Sequence, residues 1–224
     1  LGRGFREPMF SAFGIDPSSK RDRFDEALDL ILRSWQGQDV ELGGARFAAL
    51  RPLQEPHPPL AVAAFGRKGL AQAARRGLPY LASPMEPLDL IAENQAFHRE
   101  QLPAHFDAAA IVAPVMRTVF VAASDQAARR VKTRLAAANP APAGRLPESI
   151  ARALARPSEE RVIVGGASEV ADRLAVTREQ LRIDLLIVRP DVPGASLAER
   201  EESLDRLARE ILPALRTPPS RSRG

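Results

Sequence analysis

The segment RRGLPYLASPMEPLDLIAENQAFHRE, residues 75–100, sets a glycine stop, a short apolar run and a proline-started helix in direct succession. Gly77 ends one helix. Residues 78–82, Leu-Pro-Tyr-Leu-Ala, read as a strand buried on both faces, and Pro87 opens a helix reaching about Leu102 with Leu88, Ile91 and Phe97 turned inward. Between them lies the loop Ala82-Ser83-Pro84-Met85-Glu86-Pro87. Strand, loop and helix in that order make most of a βαβ unit, and the fold then depends on whether the unit repeats.

It does repeat. Upstream, residues 60–64 (Leu-Ala-Val-Ala-Ala) form another apolar strand, with a helix from about Gly69 to Arg76. Downstream, MRTVFVA (116–122) predicts a third strand, and Ser124 is placed to cap a helix carrying Ala127, Val131 and Leu135. VIVGGASEVADRL reads as a short extended piece and a helix capped by Ser168, followed by a buried strand at 183–188 and a last helix from about Leu197 to Leu215. Nearer the N-terminus, Asp16 caps and Pro17 opens a helix on which Phe24, Leu28, Ile31, Leu32 and Trp35 recur at helical spacing until Gly37. The stretch from Gly43 to Pro59 reads as a polar, proline-rich connection. Residues 139–160 read as a variable insertion around a short helix at 148–155, and 217–224 as a disordered tail, leaving 1–216 as one domain.

Alternating strands and helices imply parallel β-structure with right-handed crossovers, either an open doubly wound sheet or a closed barrel. The pattern alone leaves both open. FGRKG after Ala64 has two glycines at the wrong spacing for a dinucleotide fingerprint, so it is only a weak phosphate-loop candidate.

Composition excludes several classes. With no Cys, neither a disulfide frame nor a thiolate metal site can form, and His57, His98 and His105 are too scattered for a metal cluster, so no metal is expected. His98 and His105 read as surface or capping residues and His57 as part of a loop. No apolar run approaches the ~20 residues of a membrane span, and Leu1-Gly2-Arg3-Gly4 lacks the pattern of a signal peptide, so a soluble bacterial cytoplasmic protein without membrane partners is expected. The net charge is +4, but the arginines alternate with acids, as in SKRDRFDEALD and LAEREESLDRLARE. That is a solvated helix surface, and it argues against nucleic acid as a partner.

The residues also carry a family likeness. LGRGFREPMFSAFGIDPSSKRDRFDEALDLILRSW resembles the middle segment of the luciferase-like flavin-dependent monooxygenases, where a Gly-Arg-Gly strand end precedes an FG.D turn and an acidic, aliphatic helix. PHPPLAVAAFGRKGLAQAARRGLPYLASPMEP, VIVGGASEVADRL and LLIVRP resemble the same family in the same order. The resemblance implies a TIM (β/α)8 barrel, present here only in part. LGRG would be the tail of strand four, and 60–64, 78–82, 116–122 and 183–188 would be strands five to eight. A whole barrel takes about 250 residues, so the first three βα units are expected to be absent, and with them catalytic residues that the chain does not identify.

The resemblance further implies reduced FMN, or alternatively F420, acting with oxygen on a small organic substrate. It also implies a flavin reductase as supplier and a homodimer. Arg3 and Arg21 match arginines associated with the cofactor phosphate. Phe65, Gly66 and Gly69 match the loop after strand five, where backbone N–H groups approach that phosphate, and Ala63 would lie beside the flavin ring. Ser83 and Met85 fall on the loop after strand six, at the barrel mouth where such enzymes place their chemistry, and would line the substrate pocket. Two competing expectations accompany these. Arg21 also suits a surface ion pair with Asp25 at i+4, and the chain as a whole suits a non-catalytic partial barrel acting in interaction or assembly.

Overall fold

The computed structural model describes residues 1–4, 6–138 and 146–216. The expected disordered tail at 217–224 and residues 139–145 of the expected insertion lie outside the described residues. The chain divides into two compact units, one spanning Leu1–Ala63 and the other beginning at Ala64.

In the first unit the carboxylate of Asp16 accepts from the backbone N–H of Ser18 at 2.8 Å, and a tight turn over Pro17–Ser19 leads into α2 (Lys20–Trp35). A shorter helix, α1 (Glu7–Ala12), precedes it and was not foreseen. Leu28 is buried on the inner face of α2, and the Ser34 hydroxyl accepts from the Leu50 N–H at 2.9 Å, tying the following segment back onto the helix. The expected connection contains a hairpin. β1 (Val40–Leu42) pairs antiparallel with β2 (Ala45–Phe47) across the two-residue turn Gly43-Gly44, both with positive φ. Paired glycines suit such a turn because its twist requires positive φ at both central residues. β3 is shorter than expected, covering only Val62–Ala63. Gly2 bridges Ala63 in parallel, and the Ala63 N–H donates to the Leu1 carbonyl at 2.8 Å.

The second unit runs α3 (Arg67–Arg75), β4 (Tyr80–Leu81), α4 (Leu88–Glu100), β5 (Pro114–Val121), α5 (Asp125–Ala137), α6 (Glu148–Leu154), β6 (Val162–Gly165), α7 (Ala167–Gln180), β7 (Leu185–Arg189) and α8 (Leu197–Arg206). The last helix continues through a π-helical turn, Leu207–Ile211, into α9 (Leu212–Arg216). β5 is the centre of a parallel sheet ordered β6-β5-β7, with Val119 opposite Ile163 and Met116 opposite Ile187. Residues 162–165, read from sequence as a short extended piece, are therefore a paired strand. Ala82, just past β4, bridges Val115 in parallel.

The described strands close no barrel. Side chains alternate along β5. Val119 and Val121 pack with Ile163, Val170, Leu174, Leu207 and Ile211, while Phe120 and Ala122 pack with Ala128 and Val131 of α5. Helices thus cover both faces of this sheet, as its near-continuous apolar strands require.

Two local expectations are corrected. Gly166, rather than Ser168, is the N-cap of α7, because the helix begins at Ala167. His98 is buried rather than superficial, and its Nε2–H donates to the Leu78 carbonyl at 2.9 Å. Just before Leu78, Gly77 has a φ of +63° that turns the chain sharply at the end of α3, and an added Cβ there would stand 2.2 Å from the Phe106 ring. Only glycine fits there.

Candidate functional site

The sequence-predicted residues fall into two sets, one in each unit. In the first unit, Arg3 is half-buried beyond the Gly2–Ala63 bridge, and Arg21 lies in the first turn of α2 with Asp25 one turn on. The Arg3 guanidinium is pushed below its ordinary pKa, first by burial and then by the nearby positive charge of Arg21, with Asp25 acting in the opposite sense. Two like charges are thus held together beside one carboxylate. Arg3 lines a cavity of about 260 Å³, with Phe10, Phe24 and Leu28 as apolar wall and Lys20 and Arg23 adding positive charge. An apolar hollow edged by guanidinium groups suits a planar ring system carrying an anionic end. Ala63 is exposed on β3, where its N–H is engaged by Leu1.

In the second unit, Phe65 and Gly66 are half-buried, and Gly69 is buried. The Gly66 carbonyl accepts from the N–H groups of Gly69 and Leu70, so Gly66 is the N-cap of α3, without a side-chain cap. The charge at this helix start is unusual for the chain. Glu7, Asp22, Asp89, Asp125, Glu148, Glu169 and Glu199 stand in the first turns of α1, α2, α4, α5, α6, α7 and α8 respectively. The first turn of α3 instead holds Arg67 and Lys68 and no acid. Positive side chains at the positive end of a helix dipole are unfavourable by themselves and become favourable once an anion binds. Ser149 of α6 also reaches this point, its Oγ 3.3 Å from where a Gly66 Cβ would stand, while Ile150 and Ala153 anchor that helix in the core. Sequence reasoning missed Ser149 because the insertion it belongs to carries few local signals.

The loop after β4 is held by a buried carboxylate that sequence reasoning also missed. Glu86 is 1% exposed. Its Oε1 accepts from the Tyr80 hydroxyl and from Asn94 Nδ2, and its Oε2 from the Ser83 N–H, each at 2.7 Å. The Ser83 hydroxyl accepts from the Met85 N–H at 3.3 Å, and Arg117 Nη1 donates to the Glu86 carbonyl at 2.6 Å. Ser83 and Met85 are therefore half-buried in a turn whose shape is fixed from beneath. Burial raises the Glu86 carboxyl above its ordinary value even against these bonds, and burial followed by the Glu86 charge pushes the Tyr80 hydroxyl well up. A signal was present, since Ser83-x-x-Glu86 has the spacing of a capping box. Among the described residues no group of His, Asp and Glu is placed to hold a metal ion.

The family model for luciferase-like monooxygenases matches residues 1–185. The uncharacterized protein y4wF of Sinorhizobium fredii (strain NBRC 101917 / NGR234) is 31% identical over 83 residues, a match spanning 34% of this chain and 24% of that protein. Among solved structures, the monooxygenase RslO1 from Streptomyces bottropensis superposes with a TM-score of 0.68 at 22% identity, covering 96% of this chain and 67% of that one. Riboflavin lyase (RcaE), solved with modified FMN and riboflavin, gives 0.65 at 16% identity over 94% of this chain and 61% of that one. An F420-dependent secondary alcohol dehydrogenase, in complex with an F420–acetone adduct, gives 0.62 at 17% identity over 96% of this chain and 68% of that one. These structural likenesses establish a shared fold, and the chain spans from under a quarter to about two thirds of the proteins it matches.

Proposed function

The chain belongs to the luciferase-like monooxygenase family, and from that membership we propose that it is part of a flavin-dependent oxidoreductase acting on a small organic substrate with reduced FMN, or alternatively F420. The observation that carries this reading is Arg3, which lines an apolar cavity and lies near enough to Arg21 to feel its charge. A cofactor phosphate answers that arrangement, because guanidinium forks recognise phosphate oxygens with two parallel bonds. Within the second unit, the start of α3, where Gly66 and Gly69 keep the backbone open and Arg67, Lys68 and Ser149 supply charge and a hydroxyl, is by itself a set of donors suited to an anion.

The flavin, when bound, supplies the redox chemistry, and the protein binds it, orients it and excludes water. Arg3 and Arg21 hold the phosphate end, while Ala63 lies against the ring. Ser83 and Met85 shape the substrate pocket, and Glu86 fixes the loop that carries them. A flavin reductase supplies reduced cofactor, the assembly is a homodimer and the setting is the cytoplasm. Among the described residues no helix is long and apolar enough to cross a membrane.

The test is a paired titration with FMN and riboflavin, which share a ring and differ in the phosphate. Arg21→Ala removes a charge-assisted bond worth about 1.5–3 kcal/mol, so FMN should weaken roughly tenfold to a hundredfold. Riboflavin affinity should be unchanged. Arg33, exposed on the same helix, is the control, and Arg33→Ala should alter neither ligand. A change in FMN affinity below about twofold, or an equal loss for riboflavin, would return Arg21 to a surface ion pair with Asp25. Running F420 alongside decides between the two cofactors.

A further inference from the structure

One arginine stands in a row of valines. Along β5 the side chains of Val115, Arg117, Val119 and Val121 share a face, and Arg117 is 1% exposed. Its Nη1 donates to the Glu86 carbonyl, its Nη2 donates to the Glu160 carbonyl at 3.0 Å, and its Nε–H is buried with no hydrogen-bond partner among the described residues. A guanidinium carries five donors, and among the described residues its hydrogen bonds go to main-chain carbonyls, the Glu86 carboxylate acting on it through charge alone. Arg173 of α7 is similar, bonding the Glu159 carbonyl and no carboxylate among the described residues. The two guanidinium groups lie close enough to repel, and burial together with Arg173 lowers the Arg117 pKa to about 10.

Both residues line a cleft of about 400 Å³ bounded by the start of α4, the turn Ser158–Glu160 and α7. Its other walls are apolar at Leu88, Ile163 and Val176. The carboxylates facing it are Asp89, Glu159 and Glu160. Asp89 and Glu160 are engaged by Arg156, at 3.4 and 2.8 Å.

We propose that this cleft binds a small monocarboxylate, its carboxylate between Arg117 and Arg173 and its apolar body against Leu88, Ile163 and Val176. A planar carboxylate matches the fork of a guanidinium and offsets the repulsion between the two arginines. A single negative charge suits a lining whose three arginines, Arg117, Arg156 and Arg173, already face three acids. A phosphate dianion would be repelled by Asp89, Glu159 and Glu160. The flavin reading uses none of these residues and does not depend on this site.

Butyrate is the probe, with butyramide as its uncharged isostere and inorganic phosphate as the dianion, each titrated at constant ionic strength while the arginine Nε–H resonances are followed by NMR. Butyrate should shift the Arg117 and Arg173 signals and bind at least tenfold more tightly than butyramide or phosphate. Arg173→Gln should weaken butyrate at least tenfold with an unchanged circular dichroism spectrum; it is preferred to replacing the buried Arg117, which would endanger folding. Arg21→Ala should leave butyrate binding intact, which separates this site from the flavin phosphate. The proposal is overturned if butyramide or phosphate binds as well as butyrate, if Arg173→Gln binds like the parent, or if Arg21→Ala abolishes the shifts.

Discussion

Glu86 is the residue on which the local structure turns most sharply. Its carboxyl is raised by burial in the folded chain, so the folded state holds that proton more readily than the unfolded chain does. The stability this contributes is complete below the ordinary glutamate value of about 4.3 and is lost as the pH climbs through the raised value. Acidification through that window should therefore favour the folded state at this site, opposite to the effect of a carboxylate whose pKa is depressed. Glu86→Gln removes the titration while keeping the shape. Urea unfolding of both proteins across the acid range should show the stability of the parent relative to Glu86→Gln rising as the pH falls, and a flat or falling difference would mean that burial does not control this group. At this scale the sequence was partly legible. Arg3 and Arg21 are proposed from their motif positions alone, whereas Ser149 matters through Gly66, far off in the chain, and Glu86 through its burial and through Arg117, which reaches its carbonyl from β5.

Elements were more legible than their ends. Ser124 caps α5 as expected, accepting from the Ala127 N–H at 3.2 Å, and the helices over residues 20–35 and 88–100 follow their apolar spacing. Strand ends proved harder, because they depend on which neighbour offers a hydrogen-bond partner. β5 shows why. Its pairing with β7 ends at Thr118, and farther along the same edge the Val121 N–H donates at 2.8 Å to the hydroxyl of Ser203, a buried residue of α8. A helix hydroxyl thus replaces the missing strand. Ser203→Ala would leave that N–H buried without an acceptor and should destabilise the protein by about 1–3 kcal/mol, readable as a lower urea midpoint with an unchanged slope. A loss within error would mean that water reaches the site. The hairpin at 40–47 escaped the sequence reading because each of its strands is only three residues long, too short for alternation to register.

At the scale of the whole molecule, β7 is the consequential feature. It lies at the edge of the β6-β5-β7 sheet, yet its sequence, Leu-Leu-Ile-Val-Arg, is that of a central strand, and Leu185 is 49% exposed. An apolar strand with an open edge is a template for another strand. Light scattering over a concentration series should therefore show self-association, and Leu185→Lys, which places a charge on that edge, should shift the population toward monomer. A parent protein that stays monomeric throughout would show that the edge is already protected. By itself the sequence determined the α/β class, the order of the longer helices and of most strands, and the family, because periodicity, caps and motif order are local properties that each such stretch carries in full. Which strands pair, that helices cover both faces of the β5 sheet, and that Arg117 meets the Glu86 carbonyl and the charge of Arg173 were decided only in the tertiary structure. Hydrogen-bond partners and burial depend on residues far apart in the chain, and no local spacing encodes them.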